Sequence, residues 1–119
     1  MNGFIKFVST STLLLLISNS LVAGGLNPPA LDSAQVESGI QLYQQFCQRC
    51  HGTEMRNSGA STFDLRKFPS DEYDRFVESV SEGYEDMPAH GDILNSGEID
   101  ALFAYMVTIQ QAKQKGNTP

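Results

Sequence analysis

The chain has 119 residues, with 8 basic and 14 acidic side chains and a formal net charge of −6. That length fits one small domain with a modest core of its own. The acidic balance argues against a nucleic-acid partner, because phosphate binding needs a basic surface. No internal repeat or low-complexity segment divides the chain.

Residues 1–24 have the layout of a secretory signal peptide. Lys6 supplies a small positive region, Leu13-Leu14-Leu15-Leu16-Ile17 an apolar centre, and Val22-Ala23-Gly24-Gly25 a small-residue exit. The apolar run falls short of the roughly 20 residues that span a bilayer. Cleavage after Ala23 or Gly24 is expected, with export to the periplasm and no stable membrane insertion afterwards. The alternative is an uncleaved N-terminal anchor. A lipoprotein anchor is not available, since no cysteine lies in this stretch. Residues 25–34, with Pro28-Pro29, read as an irregular lead-in. The folded domain is expected over 35–112.

A first helix is predicted from Ser33 to Cys47, capped by Asp32 or Ser33. Val36, Ile40, Tyr43 and Cys47 recur at helical spacing, and Leu42 and Phe46 widen the apolar stripe. Gly39 lies inside that helix, where it costs about 1 kcal/mol relative to alanine. An interior helical glycine suggests close approach by another backbone.

Cys47-Gln48-Arg49-Cys50-His51 comes next, and it uses both cysteines of the chain. C-x-x-C-H is the attachment signature of a c-type haem. Two thiols three residues apart on one turn can add to the two vinyl groups of one porphyrin. His51 then lies under the iron and can bind it through a ring nitrogen. Export supports this reading, because such attachment takes place outside the cytoplasmic membrane in bacteria. Rival uses of the cysteines have less support. A redox dithiol would be accompanied by a βαβ pattern. A zinc site from Cys47, Cys50, His51 and His90 would lack finger spacing.

A second helix is predicted over Ser70 to Ser81, with Ser70 as cap and Gly83 just past its end. Tyr73, Phe76, Val77 and Val80 form one apolar face. A third helix is predicted from about Ser96 to Lys113. Asn95 and Glu98 resemble a capping box, and Ile99, Leu102, Phe103, Met106 and Ile109 form the stripe. Residues 113–119 are expected to fray. No alternating strand pattern appears, so the fold class is all-α, with three main helices around one covalent haem. Ten acids fall between 71 and 100, where Arg75 is the single Lys or Arg. That stretch reads as a solvated acidic surface or, more sharply, as a docking face for a basic partner.

The other face of the iron needs a ligand. Met55 is only four residues past His51 and leaves the same side of the haem. Met106 lies on a core stripe. Met87 stands in the loop Gly83-Tyr84-Glu85-Asp86-Met87-Pro88, and Pro88 favours an extended backbone at Met87. Met87 is therefore the expected distal ligand, with His90 as its rival. A thioether favours ferrous iron and raises the potential relative to His/His ligation.

These residues together resemble a class I cytochrome c. Gly39, Tyr43 and Cys47 match that family's lead-in to the haem motif, and Leu102 and Tyr105 match its last helix. The resemblance covers about Gln35 to Ile109. It implies that the first and last helices cross at Gly39. A narrower likeness is to periplasmic cytochromes associated with pyrroloquinoline-quinone alcohol dehydrogenases. It rests on Thr62 to Pro69 and on Met87-Pro88-Ala89-His90-Gly91-Asp92, although those cytochromes often carry tryptophan where this chain has His90. The resemblance implies a monomeric, monohaem electron carrier and not an enzyme. Its donor would be a quinoprotein alcohol dehydrogenase, and its acceptor an oxidase or another cytochrome. The alternative is a haem that reacts with a gas or peroxide after Met87 leaves.

Overall fold

A computed structural model describes residues 28–29, 31–57 and 62–116. The expected signal peptide lies outside these residues, as do residues 117–119. The described residues form four helices: α1 (Ser33–Phe46), α2 (Gln48–His51), α3 (Tyr73–Glu82) and α4 (Ser96–Gly116). Two 3-10 turns, Thr53–Met55 and Leu65–Lys67, lie between α2 and α3. No strand occurs among the described residues; Tyr84 and Met87 form one isolated bridge. The fold is all-α. No helix among the described residues is long and apolar enough to cross a membrane.

The helix ends arise from local chemistry. The Asp32 carboxylate accepts from the Gln35 N–H at 2.9 Å, which satisfies one free donor of the first turn of α1. At α4 the capping box is reciprocal: the Asn95 N–H donates to Glu98 at 2.8 Å, and the Glu98 N–H donates to the Asn95 side chain at 3.1 Å. α4 then runs past Lys113 to Gly116. α3 departs from expectation at its start. Ser70 is not its cap, because the Glu72 N–H closes a turn on the Pro69 carbonyl at 3.2 Å. Glu72 takes the cap position without a side-chain cap bond, and its carboxylate pairs instead with Arg75 at 2.6 Å.

α4 is the centre of the molecule. Residues 101–107 are buried without a break, as expected of a helix packed on several sides. α1 crosses it at Gly39. A Cβ at that position would lie 2.0 Å from the Ala101 carbonyl oxygen and 2.9 Å from the Tyr105 Cβ. The helix-propensity cost of the glycine is thus repaid by backbone contact. Tyr43, one turn on, meets Tyr105 edge to face at 5.4 Å. On another side of α4, Tyr73 and Phe76 of α3 pack edge-on against Phe103 at 5.0 and 5.2 Å. Phe68 extends this aromatic row, 5.8 Å from Phe76.

Candidate functional site

The C-x-x-C-H segment begins where α1 stops. Cys47 has its N–H on the Tyr43 carbonyl at 2.9 Å, so it still belongs to the end of α1. Its own carbonyl accepts from Cys50 at 3.1 Å and from His51 at 2.9 Å, which starts the single turn of α2. Cys47 and Cys50 therefore stand at i and i+3 on one helical turn, the separation that puts side chains on one face. Both are free thiols; Cys47 is half-buried and Cys50 exposed. Burial, and then the neighbouring Cys50, push the Cys47 thiol up to about 11.

His51 ends α2, and Gly52 closes it at φ 82°. The Gly52 carbonyl accepts from the Tyr43 hydroxyl at 2.6 Å, tying the turn back to α1. Burial, with Cys47 next, raises the Tyr43 phenol well above its ordinary range. The His51 ring lies with Nδ1 3.2 Å from the carbonyl oxygen of Phe63. A carbonyl only accepts, so Nδ1 carries the proton and donates it. The lone pair of the neutral ring is then on Nε2, the atom free to bind a metal. Burial lowers the pKa of the ring, and the Phe63 carbonyl opposes part of that shift. Both the tautomer and the neutral state suit ligation.

Met87 is delivered by a short loop after α3. Gly83 ends that helix at φ 83°, where a Cβ would come within 2.7 Å of the Met87 carbonyl oxygen. Tyr84 and Met87 exchange backbone hydrogen bonds of 3.1 and 2.9 Å around Glu85-Asp86. The chain returns to α3 directly afterwards: the His90 N–H donates to the Val80 carbonyl at 2.8 Å, and Gly91 to Ser81 at 3.1 Å. Met87 is partly buried, and it packs against the same core as Phe46 and Cys47. The His90 ring meets Phe46 edge-on at 6.3 Å. These contacts bring the Met87–His90 loop to the end of α1 beside the cysteines.

The remaining candidates are accounted for by packing. Met55 and Met106 are 1% and 0% exposed and belong to the core. The His90 Nδ1 is buried without a hydrogen-bond partner among the described residues. Those residues contain no group of three or more His, Cys, Asp or Glu able to hold a metal ion, so Cys47, Cys50, His51 and His90 do not form one. The donor set that is present fits a haem: two thiols on one turn, an imidazole with its tautomer fixed, and a thioether on a separate loop. The Phe63 carbonyl and the Tyr43 hydroxyl bond could not be read from the sequence, since neither a backbone acceptor nor a phenol's partner leaves a spacing signal.

Comparison with known proteins agrees with this chemistry. Residues 34–106 match the family described as cytochrome c oxidase, cbb3-type, subunit III. The chain is also similar to the quinohemoprotein alcohol dehydrogenase ADH-IIG of Pseudomonas putida, at 30% identity over 96 residues. The match covers 76% of this chain and 13% of that much longer relative. No solved structure matches the chain.

Proposed function

The chain belongs to the c-type cytochromes, in the family described as cytochrome c oxidase, cbb3-type, subunit III, and on that premise we propose that it is a monohaem electron carrier whose iron would be held by His51 and Met87. A domain of this family transfers electrons through a haem. In this chain the Cys47 and Cys50 thiols would tether the porphyrin at the start of α2 and on it. His51 would hold the iron through Nε2 while its Nδ1–H stays on the Phe63 carbonyl. The Tyr84–Met87 turn presents the thioether. Bound there, the haem supplies one-electron chemistry between ferric and ferrous iron. The residues holding it sit on elements fastened at both ends, so little rearrangement accompanies either oxidation state.

The observation that carries this reading is the 3.2 Å contact between His51 Nδ1 and the Phe63 oxygen. It leaves a half-buried imidazole with one free lone pair immediately after the cysteine pair. His90 is the rival distal ligand. Its backbone is bonded to Val80 and one ring nitrogen is buried, which favours Met87. Expression in a host that matures c-type cytochromes tests the whole reading. Haem should remain on the polypeptide in a denaturing gel, and the ferric protein should show a near-infrared methionine–iron band. Met87→Ala should remove that band, whereas His90→Ala should keep it. A high-spin ferric spectrum for the native protein at neutral pH would instead support the gas- or peroxide-reactive alternative.

The carrier is further proposed to be a periplasmic monomer, exported by a cleavable leader over residues 1–24. Its proposed donor is a quinoprotein alcohol dehydrogenase, and its acceptor an oxidase or another cytochrome. Support comes from the Pseudomonas putida relative, a quinohemoprotein alcohol dehydrogenase that carries a stretch similar to this chain within its own length. The acidic stretch between residues 71 and 100 would meet a basic surface on the partner. Stopped-flow reduction by purified quinoprotein dehydrogenases should be fast and should slow with added salt. No reduction by any of them would remove this choice of donor.

A further inference from the structure

Gln110 is the buried polar side chain of α4, only 8% exposed. A glutamine amide at such a site is costly unless its hydrogen bonds are made. Both of its N–H groups are used. Nε2 donates to the carbonyl of Leu65 at 3.0 Å and to that of Phe68 at 2.9 Å. These two carbonyls bracket the 3-10 turn Leu65–Lys67, which the Phe68 N–H closes on Leu65 at 3.1 Å. One amide thus clips the first and last carbonyls of the turn to the central helix.

The turn leads straight to the His51 ring. Asp64 precedes it, and its carbonyl accepts from the Lys67 N–H at 2.9 Å. The Asp64 carboxylate takes the Arg66 N–H at 3.1 Å and the Arg66 guanidinium through two contacts of 2.8 Å. Phe63 is the next residue back, and its carbonyl is the one that receives the His51 Nδ1–H. The Phe63 side chain is 54% exposed, and its ring meets Phe68 edge-on at 6.4 Å. The backbone of Phe63 is held by the turn, and the turn is held by Gln110 together with the packing of Phe68 against Phe76.

We propose that Gln110 is a positioning residue for His51: by fastening the Leu65–Lys67 turn to α4, it sets where the Phe63 carbonyl stands and so how firmly the Nδ1–H is held. This rests on the reading that His51 binds the haem iron through Nε2. A firm Nδ1–H···O bond makes the imidazole a better electron donor, which favours ferric iron. Loosening the turn should therefore raise the reduction potential.

The test uses the haem-bearing protein. Gln110→Met keeps the length of the side chain and removes both donors. Gln110→Asn, one methylene shorter, can reach one carbonyl but not both, and it is the milder change. Ile99→Val, on the same helix and away from the turn, serves as a control for a general loss of stability. Hydrogen exchange of the His51 Nδ1 proton is followed by NMR in the ferrous state, and the potential by voltammetry. Loss of both hydrogen bonds should speed exchange by about tenfold or more in Gln110→Met. The potential should move upward with it. Gln110→Asn should give a smaller change of the same sign, and Ile99→Val should change neither reading. Gln110 variants that lose stability while exchange and potential stay at wild-type values would reduce Gln110 to a structural clip and overturn the proposal. The native protein separates this from failure of the underlying reading. Absence of covalent haem, or of hyperfine-shifted His51 ring resonances in the ferric state, would overturn both before any variant is made.

Discussion

The helices on the two sides of the candidate haem site end in nearly the same backbone conformation. Gly52 closes α2 at φ 82°, ψ 164°, and Gly83 closes α3 at φ 83°, ψ 166°. The two sides differ in how the ligand beside each glycine is held. His51 stands before its glycine, and hydrogen bonds made by side chains hold its surroundings: its own ring on the Phe63 carbonyl, the Tyr43 hydroxyl on Gly52, and Gln110 behind the turn. Met87 stands after its glycine, and bonds between backbone groups hold its loop: Tyr84 within the loop, then His90 and Gly91 on the last turns of α3. The ligand chemistries explain the contrast. An imidazole is planar and carries a second polar nitrogen that needs a partner. A thioether has no second polar group and needs only to be delivered to the right place. The ring therefore calls for tertiary clamps, whereas the sulfur needs a rigid short loop.

The largest effects should come from the glycines, and they should separate the two sides. An alanine at Gly52 would sit in a backbone region open essentially to glycine, with its Cβ 2.2 Å from the Arg56 carbonyl oxygen. At Gly83 the corresponding distance is 2.7 Å, to Met87. Each substitution should cost about 2–5 kcal/mol in denaturant unfolding, Gly52→Ala more than Gly83→Ala. Gly83→Ala should weaken the near-infrared methionine band and leave the His51 Nδ1 proton protected. Gly52→Ala should do the reverse. If both variants disturb both signals equally, the two sides are one cooperative unit and the contrast fails.

A smaller change sharpens the comparison on the His51 side alone. Tyr43→Phe removes the hydroxyl that donates to Gly52. The ring keeps its place against Tyr105, so the loss is that of one buried hydrogen bond, about 1–2 kcal/mol. Chemical denaturation measures it. The methionine band should not change, because the backbone bonds that hold the Met87 loop run to Tyr84, Val80 and Ser81 and do not involve Tyr43.

How much of this was legible in the sequence depends on the range of each interaction. The Asp32 cap, the Asn95–Glu98 box and the apolar stripes are local patterns, and they mark the helices almost as they stand. Gly39 was legible because a glycine inside a helix conflicts with propensity; the conflict pointed to close approach by another backbone, and the cytochrome c resemblance implied that this is the last helix. Ser70 misled: it has the chemistry of a cap, but the Pro69–Glu72 turn moves the start of α3 to Tyr73. The clamps on His51 were not legible at all. Every residue has a carbonyl, so nothing marks that of Phe63. Gln110 opens the polar run Gln110-Gln111-Ala112-Lys113, which reads as a helix leaving the core. Only the packed structure places its amide over the turn.

The smallest expected effect is a dependence on pH that belongs to the His51 side. Hydrogen bonds from Arg66 hold the Asp64 carboxyl below the usual carboxylate range. With the folded value depressed, the unfolded chain takes up this proton first as the medium is acidified. The stabilisation is therefore present above about pH 4 and is lost as pH falls through the folded value. Its size should be under about 1 kcal/mol, because Asp64 is near the surface and screened by water. Unfolding midpoints of native protein and Asp64→Asn, compared at pH 7 and at about pH 3, should differ at the former and converge at the latter. Added salt at pH 7 should narrow the gap. The described ion pairs join Arg56 to Glu54, Arg66 to Asp64 and Arg75 to Glu72, and none of them includes a residue of the Met87 loop. Asp64→Asn at pH 7 should accordingly speed exchange at His51 Nδ1 slightly while the methionine band keeps its full intensity. A band that weakens in step with that exchange would mean that the turn under His51 and the loop carrying Met87 share a restraint beyond the core packing of α4.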